Sequence, residues 1–513
     1  MNEGKICVSI CADTAEGVLE RIRHAFTCAD IVEVRFDCLT GAERGSAIAM
    51  IAGLSEQQRQ KILATLRPLE QGGAQDLFTA ERREFWKNVS GLNLWGSDLE
   101  EDVFADSPDF PNKILSFHDF SGLSANIPDV FQRLASSDAD IIKVAAEARD
   151  TTDSIPVWDL IHQAKENGRK IVPIAMGEFG KWTRILGLSG GAYMTYASLG
   201  TGSGTAAGQI SADDLINVYR VKELNDQTEV YGLIAGDTSY SVSPFMHNAA
   251  FKTQSMNSVF VPFQVTDLRS FVDRMIRPAT REIELNFRGF AVTNPHKQAI
   301  IPLLDMIDDA ATQIGAVNTI RIENGKMIGM NTDAAGFIKP LRGEFSGITG
   351  SRVAVIGAGG AARAVIYALK NEGADVSVFA RDALKGRDIA KRFGAVFRQY
   401  TAVAADDFSD FDIIINTTPL GTRGPQQNLT VAAAGQMNGV KLVYDLIYNP
   451  AKTRLMSEAE AAGAKTLGGL EMLISQGARQ FEIWTGETPP LTAMSNAVRQ
   501  RLEQTNDDQT RGT

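Results

Sequence analysis

The stretch ADIIKVAAEA (139–148) sets a lysine, Lys143, inside an apolar run that reads as a buried strand. Desolvation disfavours an ammonium group and can depress a lysine pKa by several units. An oily wall would therefore leave part of Lys143 as free amine near neutral pH. Such an amine condenses with a ketone, and the resulting iminium acidifies the neighbouring C–H. Period-two alternation puts Ile141 and Lys143 on one face, and in KILSFHDF it does the same for Ile114, Ser116 and His118. If these are adjacent parallel strands about 4.8 Å apart, His118 reaches the same site, where it can take a proton and return it to a leaving hydroxyl. The implied chemistry is β-elimination of water from a hydroxy-ketone. The bland alternative is a lysine that snorkels out of a barrel rim beside a satisfied core histidine.

The elements that must hold these residues recur through the first 210 positions: KICVSI, DIVEVRF, KILATL, GLNLW, KILSFH, DIIKVAA, KIVPIAM and AYMTYASL, separated by helix-like stretches. Eight βα units suffice to close a (β/α)8 TIM barrel, whose chemistry collects at the carboxyl ends of the strands. Those ends carry Glu33, Arg35, Arg67, Asp98, Glu100, His118, Lys143 and Met176, with Arg184 following in a loop. The segment 211–232 reads as a terminal helix running straight into a new strand without a flexible linker, which predicts two halves held close together. A second α/β pattern starts at Val230, a third near Ser351, and NDDQTRGT at the end reads as a frayed tail.

In the third pattern, VAVIGAGGAARAVIYAL (353–369) is a strand, a glycine turn and a helix. Gly357 permits the turn, Gly359 lets backbone approach a pyrophosphate, Gly360 and Ala361 open the helix, and Ala362 allows close packing. At the end of the next strand Arg381 stands where an acidic residue would favour NAD, so NADP is the better-matched cofactor, although Asp382 argues the other way.

Bulk properties narrow the classes. A chain of 513 residues exceeds what one core supports. A net charge of -11 argues against nucleic acid or an anionic membrane as partner, and no apolar run approaches a membrane span. Cys7, Cys11, Cys28 and Cys38 lack a C-x-x-C spacing and read as reduced core thiols. The N-terminus resembles no targeting peptide, which leaves the cytoplasm as the expected compartment.

Six separated segments, EVRFD (33–37), TLRPLEQGG (65–73), ILSFHDF (114–120), DIIKVAAEARDTTD (140–153), PIAMGEFGKWTRILG (173–187) and AAGQIS (206–211), resemble type I 3-dehydroquinate dehydratase. The resemblance implies Lys143 as the Schiff-base lysine and His118 as the general acid and base. It further implies Arg184 as clamp for the substrate carboxylate, with Glu33, Arg35, Arg67, Thr205 and Gln209 as further substrate contacts. Two positions depart from the family: Gln71 replaces a usual glutamate and Thr205 a usual serine.

The segments IAGDTSYSVSPFMHNAAF (234–251), GFAVTNPHK (289–297), IGAVNTI (314–320), GMNTDAAGF (329–337), INTTPLGT (415–422), YDLIYNPAKTRLM (444–456) and GGLEMLISQGARQFEIWTG (468–486) resemble shikimate dehydrogenase. That resemblance implies Lys297 and Asp333 as the catalytic pair, Ser241 and Ser243 on the substrate carboxylate, and Thr293, Asn318, Tyr448 and Gln476 on its hydroxyls. Thr417 and Gly469 join the glycine turn and Arg381 around NADP, and neither half implies a metal. Ala291 stands where many relatives carry asparagine.

The expected architecture is thus α/β: a barrel over 1–222, then a two-lobed dehydrogenase. Its substrate lobe would span 229–338, completed by helices at about 475–505, and its Rossmann lobe 339–474. The expected activity is a fused two-step enzyme resembling the bifunctional plant protein, which makes 3-dehydroshikimate from 3-dehydroquinate and reduces it to shikimate. Three rivals stand beside it: a reductase acting on quinate, a non-catalytic metabolite sensor, and a class I aldolase barrel. Oligomeric state is left open.

Overall fold

The structure is a computed structural model that describes residues 2–122, 126–200, 205–206, 208–401 and 407–510. The chain divides into two compact units, residues 1–244 with 257–287 and residues 245–256 with 288–513.

The first unit contains the barrel. Its strands are β1 (Lys5–Ile10), β2 (Ile31–Arg35), β3 (Ile62–Thr65), β4 (Gly96–Glu100), β5 (Lys113–Asp119), β6 (Ile141–Glu147), β7 (Lys170–Met176) and β8 (Met194–Ser198), with a short β9 (Ile210–Ser211). They pair in parallel in chain order, and β8 returns beside β1. Between β7 and β8 the Tyr193 amide donates to the Ile171 carbonyl at 2.8 Å.

Alternation along the strands sorts the interior into layers. Cys7, Ile31, Leu63, Ile114, Ile141, Val172 and Met194 form an apolar layer. Two residues further along, the inward positions become Ser9, Glu33, Thr65, Ser116, Lys143 and Tyr196, with Asp98 beside them on β4. The same pleat that builds the core therefore delivers a polar layer toward the carboxyl ends.

Four expectations need correcting, the first being that Arg184, expected in a loop, lies within the helix Lys181–Gly190. The fourth strand is GSDLE, not GLNLW: residues 91–95 close the preceding helix, and two acidic residues disguise the strand. The terminal helix before residue 230 shrinks to five residues, Asp214–Val218. The cysteines are not all thiols, because Cys11 and Cys38 are joined as a disulfide with Cα atoms 5.7 Å apart. They lie 27 residues apart on the segments that follow β1 and β2, so the pairing of those two strands brings them together. Cys7 and Cys28 are free.

The same unit holds the parallel pair β10 (Glu229–Ala235) and β11 (Ser258–Gln264). Phe263 of β11 packs its ring 6.3 Å from Trp182 on the barrel helix Lys181–Gly190. The Asp150 carboxylate accepts from the amides of Thr266 and Asp267 at 2.8 and 3.1 Å.

In the second unit, β12 (Phe287–Val292), β14 (Thr319–Glu323) and β15 (Lys326–Met330) are antiparallel, with β13 (Met306–Ile307) beside β15. Six parallel strands follow: β16 (Arg352–Ile356), β17 (Asp375–Ala380), β18 (Val396–Gln399), β19 (Ile413–Asn416), β20 (Leu442–Asp445) and β21 (Lys465–Gly468). Their order, β18-β17-β16-β19-β20-β21, reverses direction between β16 and β19, the crevice where doubly wound sheets bind dinucleotides. No helix among the described residues is long and apolar enough to cross a membrane.

Candidate active sites

In the barrel, all eight residues that the first resemblance singled out line one cavity of about 710 Å³, open mouth included: Glu33, Arg35, Arg67, His118, Lys143, Arg184, Thr205 and Gln209. Lys143 lies on β6 opposite Ser116 of β5 and is 4% exposed. The wall around it is not oily. Its Nζ stands 2.6 Å from Asp98 Oδ2 and 3.8 Å from Glu33 Oε1, and 4.1 Å above the ring of Tyr196. Alternation revealed which face Lys143 takes but not these two partners from other strands.

Arg67 ties the layer together. It donates to Asp98 Oδ2 at 2.8 Å and approaches His118 Nδ1 to 2.6 Å, with a contact to Nε2 as well. Because a guanidinium only donates, the imidazole must accept there, which requires its neutral form. Burial, then the charges of Arg67, Lys143 and Arg35, pushes His118 well below 6.5. Gln71 Oε1 accepts from the His118 backbone amide at 3.1 Å. Glu33 accepts from the hydroxyls of Ser9 and, at 2.9 Å, Thr65.

Arg35 forks onto Asp37 at 2.8 and 2.7 Å, and Asp37 in turn accepts from the Ala74 amide at 3.0 Å, which holds the 68–75 loop over the cavity. Arg184 is 3% exposed, and its Nε has no partner among the described residues. Burial lowers it to about 10. A guanidinium kept that dry invites an anion. Thr205 donates to Ser9 Oγ at 2.8 Å, and its amide donates to Gln209 Oε1 at 2.8 Å. Sequence reasoning set Asp98 and Glu100 at a strand end but gave neither a role in the site. Their signal was two carboxylates at alternate positions of one strand, with Glu100 raised to about 7 by burial and by Asp98 against the pull of Arg67 and Arg82.

In the second unit Lys297, on the short helix His296–Ala299, places its Nζ 2.5 Å from Asp333 Oδ2. Asp333 opens the helix Asp333–Glu344 and is 5% exposed. Asn318 orients it, donating to Asp333 Oδ1 at 2.8 Å and to Gln476 Oε1 at 3.3 Å. Asn331, absent from the expected set, fixes the turn by accepting from the Asp333 amide at 3.0 Å and donating to the Ala316 carbonyl at 2.9 Å. Thr293 sits just before this helix, its carbonyl accepting from the His296 amide at 2.8 Å, and Tyr448 lies in the loop after β20. Ala291 is buried on β12 opposite Thr319. In the first unit, Ser241 and Ser243 share a turn in which the Ser243 amide donates to Ser241 Oγ at 3.3 Å.

The glycine turn has distinct demands. Gly357 adopts φ +125°, and a Cβ there would lie 2.2 Å from Thr417 Oγ1. Thr417 itself is pinned to the Ile356 carbonyl at 2.8 Å. A Cβ on Gly359 would meet nothing within 4 Å, which leaves open space before the helix Gly360–Asn371. Ala361 and the fully buried Ala362 open that helix, and the stem of Lys297 passes close beside Gly360. Gly469 is needed because a Cβ there would strike the Leu446 carbonyl at 2.0 Å. Arg381 is exposed at the end of β17, and Asp382 is committed to capping the next helix through the Leu384 and Lys385 amides at 3.0 and 3.1 Å. The residue that argued for NAD is thus engaged elsewhere.

The type I 3-dehydroquinase family model matches residues 6–226. The shikimate dehydrogenase substrate binding domain matches 233–320, the shikimate / quinate 5-dehydrogenase model 341–434, and the shikimate 5'-dehydrogenase C-terminal domain 469–499. A chloroplastic bifunctional 3-dehydroquinate dehydratase/shikimate dehydrogenase of Arabidopsis thaliana is 32% identical over 95% of this chain and 83% of its own. A shikimate dehydrogenase (NADP(+)) of Methanopyrus kandleri is 40% identical over 54% of this chain and 97% of its own. The crystal structure of a Thermus thermophilus shikimate 5-dehydrogenase with NADP(H) and shikimate is 32% identical, covers 53% of this chain and 98% of its own, and has a TM-score of 0.47. The chain belongs to the bifunctional 3-dehydroquinate dehydratase/shikimate dehydrogenase family.

Proposed function

We propose that the barrel dehydrates 3-dehydroquinate to 3-dehydroshikimate through Lys143 and His118, and that the second half reduces this product to shikimate with NADPH. The observation that carries the first step is the convergence of a buried lysine, a neutral histidine and a dry arginine on one cavity. Arg184 holds the carboxylate, and Glu33, Arg35, Arg67, Thr205 and Gln209 surround the ring hydroxyls. Lys143 forms the iminium, and His118 removes the acidified proton and delivers it to the departing hydroxyl.

For the second step, the φ of Gly357, the open space at Gly359 and the exposed Arg381 fit a dinucleotide with a 2′-phosphate. Gly357, Gly359, Gly360 and Ala361 would cradle the pyrophosphate, close-packed Ala362 would seat the helix, Thr417 and Gly469 would shape the nicotinamide side, and NADPH would supply the hydride when bound. Lys297 donates a proton to the nascent alkoxide, while Asp333, held by Asn318, keeps the ammonium aimed. Ser241 and Ser243 take the carboxylate, and Thr293, Asn318, Tyr448 and Gln476 take the hydroxyls. The functional domains are then 1–222, 229–338 with about 475–505, and 339–474, acting on small molecules in the cytoplasm.

A coupled assay tests both steps at once: purified chain plus 3-dehydroquinate and NADPH should consume NADPH and release shikimate. No NADPH oxidation would defeat the reading, and a higher kcat/KM for quinate than for shikimate in the reverse direction would reassign the second site.

Two further outcomes follow. Since His118 is held below 6.5, kcat/KM for dehydration should stay flat above pH 6.5 and fall only on the acid side, as the imidazole takes up a proton. The folded barrel loses stability over the same descent, because the unfolded chain binds that proton first. A profile that halves above pH 6.5 contradicts this. Arg381→Ser should weaken NADPH roughly 10- to 100-fold and NADH by less than about threefold, read as KM values. Equal losses would remove Arg381 from the cofactor site.

A further inference from the structure

One carboxylate in the barrel has no part in the steps above. Asp98 is fully buried on β4, and its Oδ2 accepts from Lys143 Nζ at 2.6 Å and from Arg67 at 2.8 Å. Among the described residues the carboxylates within 4 Å of that nitrogen are Asp98 and Glu33. Glu33 stands further off at 3.8 Å and already receives the Ser9 and Thr65 hydroxyls. The other titratable groups around the amine are Cys7 on β1, Arg67 after β3, His118 on β5 and Tyr196 on β8.

We propose that Asp98 is the counter-ion of the iminium formed on Lys143, a catalytic residue that keeps one negative charge against the reacting nitrogen through the dehydration. The proposal rests on the reading of Lys143 as the nucleophile. Charge accounting gives the reason. The ammonium of Lys143 and the ring ketone yield an iminium and one water: a C–N bond forms, the carbonyl C–O bond breaks, and two of the three N–H protons leave with the oxygen. A positive charge sits on the same atom before and after, so a fixed anion stabilises both without exchanging a proton.

His118 then takes the C–H proton, and the C–H electron pair runs to nitrogen to give the neutral enamine. The pair returns as the C–O bond to the leaving hydroxyl breaks. That hydroxyl collects the proton from the imidazolium and departs as water, which restores the iminium. A second water hydrolyses it to the ketone and the ammonium. During the neutral interval Asp98 needs another cation to remain ionised, and Arg67 is that cation. Burial alone would raise the Asp98 carboxyl; the charges of Arg67 and Lys143, with hydrogen bonds from Lys143 and Ser116, hold it at about 2 instead.

The test uses the full chain with 3-dehydroquinate and cyanoborohydride, which reduces iminium cations, followed by peptide mass analysis and steady-state kinetics. Wild type should carry the reduced adduct on the Lys143 peptide. Asp98→Asn should lower kcat by about 100-fold or more, since it deletes the anion that faces the iminium nitrogen. It should leave KM within about threefold and slow adduct formation at least ~10-fold. Asp98→Glu, which keeps the charge, should still form the adduct and retain more kcat than Asp98→Asn. Reductase activity and the unfolding midpoint report folding of each variant. An adduct on Lys143 that forms as fast in Asp98→Asn as in wild type overturns the Asp98 role alone. A wild-type adduct on any other residue overturns the Lys143 reading and this proposal with it. If Asp98→Asn does not fold, a folded Asp98→Glu that forms no adduct is the overturning result.

Discussion

Lys143→Met should lower the dehydration rate by on the order of 10⁴-fold or more while NADPH-dependent reduction of 3-dehydroshikimate continues, because the loss of a covalent nucleophile cannot be covered by its neighbours. Methionine matches the length of the stem but offers no lone pair that can condense with a ketone. The variant also removes the ammonium that Asp98 and Glu33 share and leaves Arg67 on Asp98, and removing one partner of a buried ion pair costs about 3–5 kcal/mol. The expected phenotype is therefore double: a silent barrel and a lowered unfolding midpoint. The rate is read from formation of the conjugated enone, the stability by thermal unfolding. Dehydration at an undiminished rate in a folded Lys143→Met chain would place the chemistry on another residue.

Lys297→Met should lower kcat for reduction by roughly 10²- to 10⁴-fold, the range expected when a positioned proton donor is lost. Dehydration should be untouched. Binding of NADPH, followed by nucleotide fluorescence, should persist, since the glycine turn and Arg381 are unaltered. Asp333 loses its 2.5 Å partner but keeps the Asn318 amide at 2.8 Å, so the carboxylate remains satisfied and the fold should survive. A variant that loses NADPH binding and kcat together would point to a structural role for Lys297 against the stem-packed Gly360 instead of proton donation.

What could be read from the chain ahead of its structure followed from periodicity. Alternation alone put Lys143 with Ile141 and His118 with Ser116, and the glycine turn announced its own strand and helix. The polar layer was less legible. Asp98 and Glu100 belong to a strand whose composition denies it, because a strand carrying two carboxylates is tolerated only when Arg67, Arg82 and Lys143 arrive from other strands and helices to neutralise them. Local pattern holds no record of such partners. The Cys11–Cys38 bond escaped notice for the same reason, its two halves being neighbours only across β1 and β2. Asn331 was missed for a different reason: it works through the backbone of the turn, and an asparagine before a helix reads simply as a turn former.

The pairing of β10 and β11 with the barrel's own helix sets a limit on dissection of the gene product. Phe263 and the capped 266–267 turn lean on Trp182 and Asp150, so an isolated fragment ending near residue 222 would bare an aromatic face and lose the two amides that Asp150 accepts from. Nature's seam between the two catalysts therefore lies in their sequences, while the mechanical seam falls some sixty residues later, and a dehydratase released by cutting at the former would be sticky as well as unsteady.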